Sequence, residues 1–321
     1  MNKLISIIAY TTLTIITSPL AQEYPTKSIR IIVPYSPGGG LDVVGRPLAQ
    51  KLSDLFNQPI TLENRPGAGT TIGTNFVAKS SPDGYTLLLT LSALTIGPSI
   101  YPNLPYDPIK DFQPIVWIGT SSYILSTHPS VPVQTINDLI KLSKRMPNKL
   151  NYSSPGNGTD PHMATELFKM LTGSKLVHIP YSGGSQAATS VIAGQVDLTF
   201  LPTSLGIPFI KSSKLRAIAI STLKRSQQLP DLPTIDESGA KGFSAEAWSG
   251  ILAPAKTPNN IVNKLNTNIQ KIIATNEYKN LLESRMVEIV GSNVDKFSNR
   301  IRDDVTKWKK VSKEMSINSL E

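Results

Sequence analysis

A β-branched run, Ile29, Ile31, Ile32 and Val33, is halted by Pro34-Tyr35-Ser36-Pro37 and followed by Gly38, Gly39 and Gly40. From Leu41 the apolar residues Val44, Leu48, Leu52 and Leu55 then recur at helical spacing. A buried strand, a glycine turn and an amphipathic helix in immediate succession commit the chain to an α/β architecture, because the strand must pair in a sheet and the helix must cover its face. The unpaired N–H groups of the first helical turn, near Gly40 to Val43, then point into the space above the strand, which is a ready anion site. Two phosphate motifs come close to this pattern and fail. A dinucleotide fingerprint beginning at Gly38 requires glycine where Val43 stands, and a phosphate loop over Gly40 to Gly45 requires lysine and a hydroxyl where Arg46 and Pro47 stand.

The design repeats along the chain. Ile60-Thr61-Leu62-Glu63 reads as a second strand, and Asn64-Arg65-Pro66-Gly67-Ala68-Gly69 as the turn into a helix through Ile72, Phe76 and Val77. Tyr85 to Thr90 reads as a third strand, with Ser92 at its carboxyl end. A proline-rich connection through Pro98, Pro102, Pro105 and Pro108 leads to a strand at Ile115 to Gly119, after which Tyr123 to Ser126 is again extended. From Thr135 the alternation restarts as a second domain, with a helix to Met146 and strands at Leu150 to Ser153, Lys175 to Ile179, Val196 to Phe200 and Leu215 to Ser221. Beyond Thr222 a strand at Ala247 to Ala253, a helix from Pro258 and amphipathic helices finish the chain.

Composition narrows the chemistry. The absence of cysteine among 321 residues excludes disulfides, thiolate metal sites and a cysteine nucleophile. His128, His162 and His178 are far apart in sequence without a carboxylate at metal-ligand spacing, so each reads as structural or pocket-lining. A net charge of +9 permits nucleic-acid binding only if it is concentrated, and its densest stretch, Lys296 to Lys313, is interrupted by Asp303 and Asp304 and carries an apolar face of Phe297, Ile301, Val305 and Trp308. Pairing of Asp303 with Lys307 and of Arg300 with Asp304 is expected on the surface of that helix. Residues 1–21 carry Lys3, an uncharged, mostly apolar run and Ala21, the pattern of a secretory signal too short for a comfortable membrane span.

The words PYSPGGGLD, ENRPGAGTTIG, SPDGYTLLL, YSSPGNGTDPH, HIPYSGGSQA and GQVDLTF stand in one order over most of the remaining chain and continue into AWSGILAPAKTP. Together they resemble the substrate-binding receptors of tripartite tricarboxylate transporters, the TctC-type or Bug family. The resemblance implies a two-domain periplasmic-binding-protein-like (type II) α/β fold, each domain a sheet flanked by helices, with the ligand cleft between them. It places a first domain at 22–120 and 223–321 and a second at 121–222. It further implies a monomeric periplasmic protein without catalysis, cofactor or metal. Its ligand would be a small organic carboxylate (di- or tricarboxylate, amino acid or aromatic acid), and its partners the membrane subunits of a transporter, with no nucleic acid.

Carried over by position, the resemblance lines one side of the cleft with Tyr35, Ser36, Gly39, Gly40, Ala68, Gly69, Thr70 and Ser92, and the other with Asn157, Gly158, Thr159, Tyr181, Gly183, Gly184 and Thr203. The glycines at 38–40 and 67–69 serve backbone shape or ligand contact equally well. Asp42 reads as a helix-start residue, since a carboxylate there repels an anion, and Arg65 as a brace for its turn. His162 and Tyr181 are within reach of a ligand, and Trp248 and Trp308 read as core. Tyr35 and Ser36 stand where the family often has phenylalanine and proline, adding a hydroxyl to the pocket. Two other functions compete: a ligand-loaded sensor docking on a signalling receptor, and a hydrolase using Ser185 or Ser204, for which no histidine is placed by any motif.

Overall fold

The computed structural model describes residues 24–38, 40–315 and 317. The expected signal segment and Gly39 lie outside them. Strand β1 (Ile29–Val33) pairs in parallel with β2 (Ile60–Asn64) and β3 (Thr86–Leu91), in the register Ile31 to Leu62 and Ile31 to Leu87. Helix α1 (Gly40–Phe56) buries Leu41, Val44, Leu48 and Leu52 on this sheet, and α2 (Thr71–Ala78) follows β2. Every parallel connection therefore crosses over through a helix, as the glycine turns require.

Two features depart from the sequence reading. The proline-rich connection after Ser92 begins as α3 (Ala93–Ile100), a helix containing Pro98, and continues without helix or strand to Asp111. Leu94, Thr95, Ile96, Gly97 and Ile100 are all buried, so the helix has no polar face and leaves no amphipathic stripe to read. The extended segments at 115–119 and 123–126 are one strand, β4 (Phe112–Thr127), which absorbs Pro114 at an irregularity in its pairing.

Strand β4 joins two lobes. Its first part pairs antiparallel with β9 (Glu246–Pro254), from Phe112 opposite Pro254 to Ser122 opposite Glu246. From Tyr123 onward it pairs instead with β7 (Leu198–Pro202) and β8 (Arg216–Ile220). A short strand, β10 (Val287–Ile289), was not legible in sequence and pairs with β4 at Gly119, where a Cβ would lie 2.6 Å from the Glu288 carbonyl. In the second lobe β5 (Leu150–Ser154) pairs in parallel with β6 (Leu176–Pro180) and β7. Helices α4 (Ile136–Arg145), α5 (Asp160–Thr172), α6 (Gly184–Ile192) and α7 (Thr203–Lys211) belong to this half, and α4 begins with a reciprocal capping box between Thr135 and Asp138.

The chain returns through β9 to α8 (Asn259–Ile273) and α9 (Asn276–Ser284) on the first lobe, then ends in α10 (Val294–Glu314). Helix α10 buries Phe297, Ile301, Val305 and Trp308 as its spacing predicts. Asp304 is also buried, contrary to the surface pairing expected of it. It accepts hydrogen bonds from Trp248 Nε1 at 2.8 Å and Arg300 Nε at 2.9 Å, and pairs with Lys307 at 3.0 Å. Lys307 thus bonds Asp304 rather than Asp303, because the buried carboxylate needs the compensation more.

Candidate functional site

The glycine loops of both lobes converge on the end of α3. Gly69 packs against the Tyr101 hydroxyl just beyond that helix, and a Cβ on Gly158 would stand 3.2 Å from Ile100. Ala68, Gly69 and Thr70 take three successive left-handed conformations (φ 46°, 59° and 80°), turning the chain sharply into α2. Gly67 and Gly69 are accordingly demanded by shape. Behind them Arg65 bonds Glu63 at 2.5 Å and lays its guanidinium 3.8 Å from the Phe76 ring, the bracing role read from the sequence.

In the turn after β1, Asp42 is buried and accepts from the Gly38 amide at 2.9 Å, Arg46 at 2.9 Å and Asn64 at 2.8 Å. Burial raises this carboxyl, but the bonds from Asn64, Gly38 and Arg46 outweigh it and hold the group below the usual carboxylate range. The Gly38 amide is therefore spent on Asp42. Ser36 is exposed beside it and Gly40 opens α1. Tyr35 is half-buried, and its hydroxyl is enclosed close to Thr90 and the Leu91 main chain without reaching full hydrogen-bond geometry to any group of the described residues.

The second lobe holds its loop by another route. The Gly158 amide donates to His162 Nδ1 at 3.0 Å, so it too is occupied, and Thr159 Oγ1 donates to the Gly156 carbonyl at 2.7 Å. Ser154 Oγ bonds both main-chain atoms of Gly156 and lies 2.6 Å from His178 Nε2. The His162 and His178 rings, distant in sequence, stack at 4.2 Å, and Tyr152 stacks on His178 at 4.7 Å. Burial, with the nearby Lys169, lowers His162 to about 4; burial, His162 and Lys169 lower His178 to about 4. Both imidazoles are neutral at pH 7, as the acceptor role of His162 Nδ1 requires. Ser154, reached by a histidine, is fully buried, whereas Ser185 and Ser204 are exposed and bonded to no histidine among the described residues.

Tyr181 donates its amide to the Ser154 carbonyl at 3.0 Å, which seats the loop 181–184 against 154–156. Gly183 is extended (φ 172°), a conformation open to any residue, and nothing lies within 4 Å of its Cβ position. Only Pro155, at 3.9 Å, approaches that of Gly184. The amides of Gly183 and Gly184 have no acceptor among the described residues. Asn157 is exposed at the tip of its loop. Thr203 is buried: it donates to the Ser122 carbonyl at 2.8 Å and meets the Ser122 hydroxyl at 2.7 Å, so its Oγ1 joins α7 to β4.

Ser92 is buried at the carboxyl end of β3 and donates from Oγ to Asp160 Oδ1 at 2.5 Å, across the two lobes. Asp160, half-buried as the first residue of α5, was not singled out from the sequence. Its place in GNGTDPH beside Asn157 to Thr159 was the available signal, obscured because an acidic residue is ordinary at a helix start.

Two half-sheets sharing one long strand and flanked by helices define a periplasmic-binding-protein fold of the solute-receptor class. Residues 44–317 match the tripartite tricarboxylate transporter family receptor. The chain is 34% identical to the protein BugT of Bordetella pertussis over 320 residues, 98% of each chain. It superposes on the R. palustris protein Rpa4515, solved with adipate, with a TM-score of 0.80 at 30% identity, over 93% of this chain and 100% of that one. MatC from Rhodopseudomonas palustris, solved with bound malate, gives a TM-score of 0.76 at 26% identity, over 90% and 99%. The chain belongs to the tripartite tricarboxylate transporter receptor family.

Proposed function

We propose that this protein is an exported periplasmic receptor that captures a small organic carboxylate between its lobes and delivers it to the membrane subunits of a tripartite transporter. The observation that carries the reading is the start of α6, where two unpaired amides adjoin open space left by two glycines. The carboxylate takes those amides. Gly40, Ala68, Gly69 and Thr70 face it from the first lobe, with Tyr35 and Ser36 above and Asn157 and Thr159 beside it. Gly39 completes the first loop. Charge-assisted bonds of this kind contribute about 1.5–3 kcal/mol each, and several are enough for micromolar affinity, about −8.2 kcal/mol. Adipate and malate in the two structural neighbours are ligands of this chemistry.

Residues 22–120 with 223–321 form one closing body and 121–222 the other, hinged where β4 changes partners and where the chain returns toward β9. Closure follows if the ligand bonds better to both lobes than to one. Titration calorimetry with di- and hydroxycarboxylates is expected to show binding that amidation abolishes, and small-angle scattering a smaller radius of gyration with ligand. Gly183→Val, which the extended backbone accommodates, is expected to fold normally and bind at least about tenfold more weakly, the loss of roughly one charge-assisted bond. Unchanged affinity in that variant, or equal binding of the neutral amide, overturns the reading. Export predicts a mature terminus near Ala21, checked by terminal sequencing of the periplasmic protein.

A further inference from the structure

The meeting point of the lobes carries an acid where an anion receptor has least use for one. Asp160 receives Ser92 Oγ on one oxygen, and apart from its own amide it has no other hydrogen-bond donor among the described residues. No cation among the described residues pairs with it directly. Lys307, the positive group facing it from α10, is held by Asp304 and by the Ser244 carbonyl. The other titratable groups facing it are Asp304 itself, Tyr35 after β1 and Tyr123 on β4, whose phenols its charge helps to raise. Burial lifts Asp160 to about 6, so near pH 7.5 the group is an ionised acceptor.

Two hydroxyls of the same neighbourhood are left short of donors and acceptors. Tyr35 Oη and Thr90 Oγ1 are enclosed close to one another and to the Leu91 main chain, yet neither reaches full hydrogen-bond geometry with any group of the described residues, and Thr90 lies two residues before Ser92. Buried polar atoms in native proteins are nearly always paired, so these two, with the unfilled acceptor of Asp160, describe a polar group supplied from outside the chain. A second carboxylate does not fit, because it has no proton to give Asp160 and repels it. A hydroxyl fits, donating to Asp160 and accepting from Tyr35 or Thr90. An ammonium fits also, donating to all three.

We infer that Asp160 selects carboxylates bearing a hydrogen-bond donor, hydroxyl or ammonium, on the carbon beside the carboxyl group, and discriminates against the plain acid of the same length. This rests on the receptor reading and narrows it. The carboxylate stays with the amides of α6, and the donor turns to the floor formed by Asp160, Tyr35 and Thr90.

The test is calorimetric titration at pH 7.5 with matched sets: succinate, malate and aspartate; glutarate, 2-hydroxyglutarate and glutamate; propionate, lactate and alanine. A hydroxyl- or amino-bearing member is expected to bind at least about tenfold more tightly than its plain counterpart, the scale of one hydrogen bond to a charged group. In Asp160→Asn, which keeps an acceptor for Ser92, that preference is expected to shrink to within about twofold. Equal or tighter binding of the plain acid by the unmodified protein means that water fills the floor, which overturns the inference and leaves the receptor reading standing. A preference that persists in folded Asp160→Asn overturns the role of Asp160. Adipate, citrate and benzoate are titrated alongside: binding of one of these with no member of the sets overturns this inference alone, and binding of none refutes the carboxylate receptor and this inference with it.

Discussion

In the first lobe the turn after β1 is fixed by a charged side chain, Asp42, whereas in the second the corresponding loop is fixed by a neutral one, His162. Both devices spend a glycine amide that sequence geometry would assign to the ligand. Asp42 gathers three donors of its own lobe, and His162 works within a stack of rings buried against Tyr152. The contrast shows that a glycine-rich loop before a helix is not by itself an anion cradle. What counts is whether the amides remain free, and here the pair at the start of α6 does. It also means that the two loops answer differently to acid.

The largest effect is expected from the charged anchor. Asp42→Ala strands the Gly38 amide and one N–H of Asn64, whose other still reaches the Tyr35 carbonyl, and is expected to cost about 2–3 kcal/mol in denaturant unfolding, with Arg46 contributing little because it is half-exposed. A loss below about 1 kcal/mol would erase the distinction between the lobes. Next, His162→Phe removes the acceptor for Gly158 and is expected to cost about 1–2 kcal/mol, while His162→Asn, whose side-chain oxygen can replace Nδ1, recovers part of it. Faster hydrogen exchange at Gly158 in the Phe variant alone would bear this out. Equal exchange in both would show that the loop stands without the imidazole.

Acid separates the walls more finely. His162 and His178 are lowered to about 4, so the unfolded chain binds their protons first; the stability they contribute is complete above about 6.5 and is lost as pH falls toward 4. Asp160, raised to about 6, works the other way: its contribution is complete below the ordinary aspartate value and is lost as pH rises through about 6. The depressed Asp42 loses its contribution only at lower pH still. Exchange followed by NMR between pH 7 and 4 is thus expected to loosen residues 156–159 before the turn after β1, and replacing both histidines by asparagine should abolish that order. The smallest effect belongs to Lys309→Ala, an exposed position on α10, for which unchanged ligand affinity is expected in the same calorimetric assay.

Much of the architecture was legible because it is locally encoded. Ile29 to Val33 and Leu41 to Leu52 read as strand and helix because one is β-branched at every position but Arg30 and the other buries one stripe. The loops at 35–40, 67–70, 157–159 and 181–184 were found because glycine and hydroxyl residues punctuate the same positions of each unit. Helix α3 escaped because most of it is buried and it exposes no polar stripe, β10 because three residues make no pattern, and the unity of β4 because Pro114 and the polar pair Ser121-Ser122 look like interruptions until β9 pairs alongside.

The sequence by itself determined the alternating α/β plan, the succession of glycine turns and the family. These are properties of short segments, set by side-chain branching, spacing and turn chemistry. The tertiary structure alone decided which amides those turns leave free, that His162 and His178 stack, that Asp304 is buried and that Ser92 meets Asp160. Such facts join residues from 16 to 68 positions apart, or depend on what covers a helix face. Hydrogen-bond partners and burial arise only when separate units pack, and no local pattern records them.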